Sequence, residues 1–313
     1  MRIFKSIIFR WNNKINHGAF QFKFQKVLLA KDGNEIISRL LKENTSFAVS
    51  RLGLVEANLV RNHLETKSNP IINSIFGKRS KLDLELMKNA QINAGVFPLD
   101  THYMTEFCKV YYQSIMKIDL FGVWNFIPFE RKLIRSRNKY AVLFQASSLD
   151  PFRFAKPWTN HLEGKTVLVI HPFAKTIEEQ YKKRHSMFKN GFTLPEFNLL
   201  TLKTFQTNFV EHNDELKNWN NVLEILKHKI GRIEFDIAII GAGSYGLPLA
   251  AYIKDKGKVA LHIGSSTQLL FGIKGRRWDE NGFKEEFYTE KWVSPSLSDR
   301  PDNYQMIENG CYW

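Results

Sequence analysis

The stretch that most constrains the fold is Phe235–Asp279, in which a largely apolar run is followed by closely spaced glycines. The run, Phe235–Ile240, has the length and the β-branched content of a buried parallel strand. Gly241, Gly243 and Gly246 follow it with the spacing G-x-G-x-x-G. Such a turn lets backbone N–H groups approach an anion, so the stretch predicts a corner shaped for a phosphate.

The glycines lead into a predicted helix and a second predicted strand. Leu247–Lys256 has a helical pattern, and Gly257 follows it in the position of a C-terminal glycine. Val259–Ile263 is another short apolar run. Strand, turn, helix and strand in this order form a β-α-β unit, which requires a parallel sheet.

The preceding chain repeats this alternation of strands and helices. Strands are predicted at Ser46–Ser50, Tyr140–Gln145 and Lys165–Ile170, with helical patterns between them. We therefore predict an α/β fold, a Rossmann-like, doubly wound and mostly parallel sheet flanked by helices. Ligands of such sheets bind beyond the carboxyl ends of the strands, so His171, Thr204–Gln206 and the glycine turn are expected at one rim.

The chain divides into three predicted parts. Residues 1–31 form a basic amphipathic segment, residues 32–150 an N-terminal α/β part, and residues 151–313 a C-terminal Rossmann-like part. The proline-punctuated stretch Asp150–Trp158 marks the second boundary. The last two parts are either separate domains or one continuous domain.

Two stretches of the N-terminal part lack a regular pattern. Asp119–Trp124 is predicted to be a turn that closes the helical pattern Thr105–Ile118, and the basic stretch Arg131–Asn138 is predicted to be a loop.

The N-terminal segment, Met1–Lys31, carries seven Lys or Arg residues and no acid. Its apolar residues from Ile3 to Ile15 recur at helical spacing, which is typical of a helix lying on an anionic membrane or packed on its own domain. No apolar run approaches the ~18 residues of a membrane span, and no signal-peptide pattern is present. We expect a cytoplasmic protein, and a peripheral location on the inner face of the cell membrane stays open.

Charge and cysteine content narrow the classes of partner. The formal net charge of +14 favours nucleic acid, anionic lipid or phosphorylated substrates. Aromatic residues do not alternate with Lys and Arg, and no helix-turn-helix or zinc-finger pattern occurs, so no nucleic-acid partner is expected. The two cysteines, Cys108 and Cys311, lie far apart, which indicates neither a zinc site nor a disulfide framework.

The glycine turn by itself does not indicate NAD. An NAD site needs an acid at the end of the second strand to hold the ribose, and His262–Ser266 contains none, so NAD is not expected. A diphosphate remains, with Arg276 and Arg277 to neutralise it and Gln268 to contact a base or sugar. The alternative is that the glycines only permit tight packing and the basic run is a solvated loop.

A second candidate motif, Arg51–Glu56, follows the predicted strand Ser46–Ser50. Gly53 allows a ligand to approach the backbone, with cationic Arg51 and anionic Glu56 on either side. The alternative is an ion pair within the turn or an acid at the start of a helix.

These motifs resemble a known family. The run GAGSYG to RRW, Gly241–Trp278, is similar to the C-terminal signature of bacterial GT-D-type glycosyltransferase-like proteins, which occur in surface-polysaccharide and glycoprotein-glycan gene clusters. SRLGLVE (50–56), residues 164–184 and ENGCYW (308–313) are also similar, so the matches span roughly residue 46 to the end.

The resemblance implies a Rossmann-like fold and transfer of a sugar from a nucleotide donor. In the family, the segment that matches Arg51–Glu56 has the pattern R-x-G-D-x-E, whose D-x-E pair is associated with a metal ion and the donor diphosphate. Here Glu56 matches the second acid, and Leu54 stands in place of the Asp. Dependence on Mn²⁺ or Mg²⁺ therefore stays open, and Glu56 is alternatively a base or a partner of Arg51.

We expect a glycosyltransferase that uses a nucleotide-diphosphate sugar, a UDP-sugar, and a glycan or lipid-linked glycan acceptor in surface-polysaccharide biosynthesis. The alternatives are a non-catalytic nucleotide- or glycan-binding protein and, less favoured, an NAD(P)-binding oxidoreductase. Glu56 and His171 are the catalytic candidates, with Glu56 also the candidate metal ligand. The substrate-binding candidates are Arg51, Gly53, Gly241, Gly243, Ser244, Tyr245, Gly246, Gln268, Arg276 and Arg277.

Overall fold

The centre of the fold is a seven-stranded sheet with an apolar core on each face. The structure, a computed structural model, describes residues 20–22, 25–67, 81–124, 129–208, 216–279 and 282–313. One core cluster includes Phe107 and Trp219, and the other includes Phe144 and Trp158. The strands are β1 (Phe20–Phe22), β2 (Gln25–Val27), β3 (Ala48–Ser50), β4 (Leu120–Val123), β5 (Val142–Gln145), β6 (Thr166–His171), β7 (Asn198–Lys203), β8 (Ile237–Ile240) and β9 (Val259–His262).

The order of strands in the sheet is β5-β4-β3-β9-β8-β6-β7, and every neighbouring pair is parallel. β1 and β2 form a separate antiparallel pair. Parallel strands need crossover connections, and helices supply most of them here. The predicted α/β fold with a parallel, doubly wound sheet is confirmed.

The helices cover both faces of the sheet. They are α1 (Ala30–Lys42), α2 (Leu54–Lys67), α3 (Leu84–Ala94), α4 (Thr101–Ile115), α5 (Glu130–Arg137), α6 (Ala174–Tyr181), α7 (Trp219–Ile230), α8 (Gly246–Asp255), α9 (Ser266–Leu270), α10 (Arg276–Asp279) and α11 (Phe283–Phe287). Several begin at a side-chain cap: Asp83 and Asp100 each accept two backbone N–H bonds, and Asn218 accepts one. Gly257, with φ +79°, follows α8 as predicted.

Two predictions for the N-terminal part are wrong. Asp119–Trp124 contains β4, whose four residues are all buried, rather than a turn. The strand is short, and its Gly122 lets Leu149 pack closely, so no alternating pattern marks it in the sequence. Arg131–Asn138 lies largely in α5 rather than in a loop, because its two apolar residues, Leu133 and Ile134, are buried against the core.

The two predicted boundaries between the parts of the chain differ in their structural surroundings. The amphipathic pattern from Ile3 to Ile15 lies outside the described residues, and the end of the same segment contains β1, β2 and the first two residues of α1. Asp150–Trp158 lies in the connection between β5 and β6. The sheet continues across that connection, because β3 from the first part pairs with β9 from the second.

A cleft opens at the carboxyl edge of the sheet because neighbouring connections diverge there. The helices that follow β3 and β8 contribute Leu59 and Leu247 to one core cluster. The helices that follow β6 and β9 contribute Ile177 and Leu270 to the other. β9 lies between β3 and β8, so adjacent strands send their chains to opposite faces, which is where ligands bind in open α/β sheets.

Within the described part of the chain, no helix is long and apolar enough to cross a lipid bilayer.

Candidate functional site

The cleft holds a cavity of about 690 Å³. It is lined by residues at and after the ends of β3, β4, β6, β7, β8 and β9, by residues of α3, and by residues from the last part of the chain. The volume lies within the range of small-molecule sites, about 300–1,000 Å³. We call it the main cavity.

Most of the predicted site residues meet in the main cavity. Gly246 and Arg276 do not line it: Gly246 is packed beneath His262, and the exposed Arg276 donates to the carbonyl of Asn309. The predicted residues that line the cavity are Arg51, Gly53, Glu56, His171, Gly241, Gly243, Ser244, Tyr245, Gln268 and Arg277.

The three glycines of the turn have different roles. A Cβ on Gly241 would lie 2.6 Å from the ring of His171, and one on Gly246 would lie 2.2 Å from Nε2 of His262. These two glycines make room for buried histidines, as the packing alternative proposed. Gly243 instead has φ +52°, and a Cβ there would enter open space.

Backbone N–H groups at this turn are available to a ligand. The N–H of Gly241 donates to the carbonyl of Ile170 at 2.9 Å. Those of Gly243 and Ser244 have no hydrogen-bond acceptor among the residues that the structure describes. They lie just before α8, a ten-residue helix whose N-terminus carries partial positive charge, so the turn suits an anion.

The side chains of Ser244 and Tyr245 are engaged in the protein interior. Ser244 Oγ donates to the carbonyl of Ala94 at 2.6 Å and accepts from Trp219 Nε1 at 2.8 Å. Tyr245 stacks on the Trp219 ring, with centroids 5.1 Å apart, and its hydroxyl lies 2.9 Å from Thr207 Oγ1. These two residues hold the turn against α7 and the chain after β7. The N–H of Tyr245 donates to the carbonyl of Ala242 at 3.1 Å, so of the two residues it is the backbone N–H of Ser244 that is available to a ligand.

Gln268 also has a structural contact where the sequence suggested a ligand contact. Its Nε2 donates to the carbonyl of Tyr312 at 2.8 Å and to that of Lys274 at 2.6 Å. It thus anchors the C-terminal segment, residues 297–313, at the cavity wall.

Arg51 lies between the turn after β9 and the chain after β4. Its guanidinium carbon is 5.1 Å from the centroid of the Trp124 ring. On the other side, a Cβ on Gly264 would come within 3.1 Å of that carbon, and Gly264 has φ +62°. No carboxylate of the described residues forms an ion pair with Arg51, so its charge is directed at the cavity.

Glu56 packs its carboxyl group over Gly53. A Cβ on Gly53 would lie 2.0 Å from Glu56 Oε2, so any other residue there would displace the Glu56 carboxyl group. Burial raises the pKa of Glu56 to about 7; its own backbone N–H opposes the rise, the Glu308 carboxylate adds to it, and Arg51 opposes it. The carboxyl group can therefore exchange a proton near neutral pH.

Glu308 is a cavity residue to which sequence reasoning assigned no role. It has φ +45° and is followed by Asn309 at φ +57° and Gly310 at φ +69°. This left-handed turn brings its carboxylate to Arg277, with which it forms an ion pair, and to Tyr312, whose hydroxyl donates at 3.1 Å. The dipeptide Asn309-Gly310 was the available signal, since it marks a turn.

Two buried histidines flank the turn and remain neutral. Burial lowers the pKa of His171 and of His262 to about 3. His171 Nδ1 accepts the N–H of Phe173 at 3.0 Å, so the ring hydrogen is on Nε2, which can only donate. His262 Nδ1 lies 2.8 Å from Ser50 Oγ, which ties the strands β3 and β9 together.

The donor set does not fit a resident divalent cation. Leu54, which stands where the similar motif has an Asp, is apolar and 47% exposed. Of the two carboxyl groups at the cavity, Glu308 is held by Arg277, which leaves Glu56. Among the described residues, no three His, Cys, Asp or Glu side chains are grouped so that they could hold a metal ion, and Mg²⁺ or Mn²⁺ needs more oxygen ligands than one.

The chain is similar to two solved structures. One is described as the selenomethionine-substituted structure of domain of unknown function 1792; it has a TM-score of 0.42 and 12% identity, over 82% of each chain. The other is described as showing that the highly conserved domain of unknown function 1792 has a distinct glycosyltransferase fold; it has a TM-score of 0.44 and 12% identity, over 90% of this chain and 89% of that one. No protein-family model and no curated protein sequence matches the chain.

Proposed function

We propose that this protein is a glycosyltransferase that moves a sugar from a UDP-sugar to a hydroxyl group of a glycan or lipid-linked glycan acceptor. The observation that carries the proposal is the meeting, in one cavity, of free backbone N–H groups, Arg51 and Glu56. The N–H groups and Arg51 form an anion site, and Glu56 can accept a proton. Sugar transfer requires both, one for the diphosphate and one for the acceptor hydroxyl.

The donor diphosphate is assigned to the glycine turn. The N–H groups of Gly243 and Ser244 and the N-terminus of α8 attract its oxygens, and Arg51 supplies a full positive charge beside them. Charge that grows on the diphosphate as it departs is stabilised by these groups without rearrangement.

Aromatic side chains are placed for the uridine and sugar rings. Trp124, Phe173, Tyr312 and Trp313 all line the main cavity. Flat aromatic faces pack against nucleobases and against the apolar faces of sugar rings, and bury much area with little loss of side-chain freedom. The last two come from the C-terminal segment, which thereby becomes part of the donor or acceptor site.

Glu56 is assigned as the base. An acceptor hydroxyl attacks the anomeric carbon, the bond from that carbon to the diphosphate oxygen breaks, and the diphosphate leaves with the electron pair. The hydroxyl proton passes to Glu56, whose pKa of about 7 lets its ionised form accept it at neutral pH. His171 is the weaker candidate because its Nε2 carries the hydrogen, so we assign it as a donor to a substrate oxygen.

No step is assigned to a metal ion, because Glu56 alone does not make a cation site. The proposal places the positive charge on Arg51 and on helix-terminal N–H groups instead.

The second candidate is a nucleotide- or glycan-binding protein of polysaccharide assembly that performs no transfer. Leu54 favours it, since an exposed apolar residue stands where the related pattern has an acid. An assay for UDP release distinguishes the two functions: a transferase releases UDP from a bound UDP-sugar when an acceptor glycan is added, and a binding protein does not.

Titration calorimetry with UDP and two matched glycine variants tests the donor site. Gly243 and Gly257 both have positive φ and open space at a Cβ, but only Gly243 lines the main cavity. Gly243→Ala and Gly257→Ala should each cost about 1 kcal/mol in unfolding free energy. Only Gly243→Ala should also weaken UDP binding, by at least about tenfold, or about 1.4 kcal/mol.

Two outcomes would contradict the proposal. Equal UDP affinity in both glycine variants would remove the turn from the site. Micromolar binding of NAD without binding of UDP would replace the proposed donor with a dinucleotide.

A further inference from the structure

A side pocket of about 130 Å³ adjoins the main cavity. It shares Arg51, Trp124, Ser265 and Arg277 with the main cavity, so the two spaces have a common wall. We call it the side pocket. Its own residues, which do not line the main cavity, are Asp150, Arg153, Ser266, Leu269, Trp278 and Phe283.

Three guanidinium groups line this small space. Arg153 Nε lies 3.3 Å from Asp150 Oδ2, and Arg277 is paired with Glu308. Arg51 has no carboxylate partner among the described residues and stacks on Trp124. The side pocket itself is lined by these three guanidinium groups and by one carboxylate, that of Asp150, which leaves an excess of positive charge in its wall.

The size and walls of the side pocket select a small anionic group. Since a water molecule occupies about 30 Å³ in the liquid, the pocket holds roughly four waters, or one phosphate or carboxylate group, and is too small for a nucleoside. Arginine binds phosphate and carboxylate oxygens with paired hydrogen bonds. Ser265 adds a hydroxyl, and Trp278 and Phe283 form an apolar wall.

Arg153 is exposed on one side and contacts three aromatic rings on the other. Its guanidinium carbon lies 5.8, 5.7 and 5.3 Å from the ring centroids of Phe152, Phe283 and Phe287. These contacts and the ion pair with Asp150 restrict the guanidinium group, which reduces the freedom it loses when it binds an anion.

We propose that the side pocket binds a second anionic group of the substrate, a carboxylate or a phosphate, while the glycine turn holds the donor diphosphate. The inference rests on the proposed function, because it takes the main cavity to be the donor site. The anionic group belongs either to the transferred sugar, as in a uronic acid, or to a phosphate on the acceptor. Both sources offer the same oxygen chemistry to Arg51, Arg153 and Arg277.

Titration calorimetry of the full chain distinguishes the two sources. In the first arm, the affinities for UDP, UDP-glucose and UDP-glucuronic acid are compared. The two sugars differ only at C6, which is a hydroxymethyl group in glucose and a carboxylate in glucuronic acid. In the second arm, inorganic phosphate is titrated into protein saturated with UDP. The proposal expects UDP-glucuronic acid to bind about tenfold tighter than UDP-glucose, or phosphate to bind beside UDP, because a charged hydrogen bond contributes about this factor.

Two variants with opposite expected effects test the residues. Arg153→Gln should reduce the extra affinity that the anionic group provides by about tenfold. It should leave the affinity for UDP unchanged, since Arg153 does not line the main cavity. Asp150→Asn, which keeps the shape and can still accept from Ser266, should strengthen binding of the same group. If Arg153 and Asp150 had only structural roles, the two variants would not change the affinity for the anionic group in opposite directions.

Equal affinity for the two UDP-sugars together with no phosphate binding would overturn the inference, as would an Arg153→Gln variant that matches the natural chain. If UDP itself fails to bind, the proposed function fails. Phosphate affinity without UDP then tests the side pocket alone: a loss in Arg153→Gln supports it, and no loss rejects it.

Discussion

At the scale of single residues, we propose that the apolar side chain at position 54 disfavours a divalent cation at the site. Leu54 and Glu56 occupy the first turn of α2, with Leu54 exposed and Glu56 buried. An acid two residues before Glu56 would add the second oxygen donor that the described residues lack.

We expect Leu54→Asp to create a Mn²⁺ site at the mouth of the cavity. Two carboxylates and a bound diphosphate supply several oxygen ligands, so Mn²⁺ should bind the UDP-loaded variant at least about tenfold tighter than the natural protein. Calorimetric titration of MnCl₂ measures this. Leu54→Asn is the matched control, because it has the same shape without the charge.

If the natural protein binds Mn²⁺ as tightly as Leu54→Asp does, the site holds the cation without a second carboxylate at position 54. Equal Mn²⁺ affinity in Leu54→Asp and Leu54→Asn would show that a negative charge at position 54 does not strengthen cation binding.

Single-residue roles were only partly readable from the sequence. A positive φ at Gly243 follows from the glycine itself and its place after a strand. The side-chain roles of Ser244 and Gln268 did not follow, since their partners Trp219 and Tyr312 lie far away in the chain. A polar residue beside a glycine turn looks the same in sequence whether it binds a ligand or the protein itself.

At the scale of elements, the short helix α9 anchors the C-terminal segment. Gln268 on α9 donates to the Tyr312 carbonyl, and Asp299 within the segment accepts from Thr176 at 2.9 Å and from Lys203 at 3.0 Å. The segment is therefore held from α9, α6 and β7, and it supplies Glu308 to the cavity.

We expect Gln268→Glu to loosen this segment. A carboxylate cannot donate, so it would face the carbonyls of Lys274 and Tyr312 without a hydrogen bond, at a cost of about 2–4 kcal/mol in unfolding free energy. Chemical denaturation measures the cost, and amide hydrogen exchange at residues 311–313 reports the local opening.

Gln113→Glu, an exposed change of the same kind on α4, is the control and should shift stability by less than about 0.5 kcal/mol. Slow exchange at residues 311–313 in Gln268→Glu would mean that the other contacts hold the segment without Gln268.

Element prediction succeeded where patterns were long and failed where they were short. The β-α-β unit around α8 was recognised because its strand, turn and helix each carry a separate signal. β4 was missed because four buried residues show no alternation, and α5 was missed because its basic residues outnumber its two apolar ones.

At the scale of the whole molecule, buried carboxyl groups make stability depend on pH. Glu130 is fully buried; its Oε2 accepts the N–H of Trp124 at 2.7 Å, and its Oε1 has no hydrogen-bond partner among the described residues. Burial raises the pKa of Glu130 from 4.5 to about 8. Between these two values the unfolded chain releases the proton while the folded protein keeps it, so stability falls as pH rises.

We expect Glu130→Gln to gain stability relative to the natural protein as pH increases from 5 to 8. The amide does not titrate, so the difference in unfolding free energy should grow by up to about 1.4 kcal/mol per pH unit. Urea denaturation at several pH values measures it.

Glu224→Gln, an exposed change on α7, is the control and should alter stability by less than about 0.5 kcal/mol. A constant difference between Glu130→Gln and the natural protein across this pH range would mean that Glu130 is ionised when folded.

The sequence by itself determined the class of fold and the local geometry of the glycine turn. Alternating strand and helix patterns require a parallel sheet, and glycines after a strand permit a positive φ, because both are properties of neighbouring residues. Only the tertiary structure decided which parts of the chain meet. The sheet order puts β9 beside β3, which brings the Arg51–Glu56 motif to the glycine turn, and the packing of the last residues brings Glu308 to Arg277. Contacts between distant parts of the chain depend on the arrangement of all the strands, which local preferences leave undetermined.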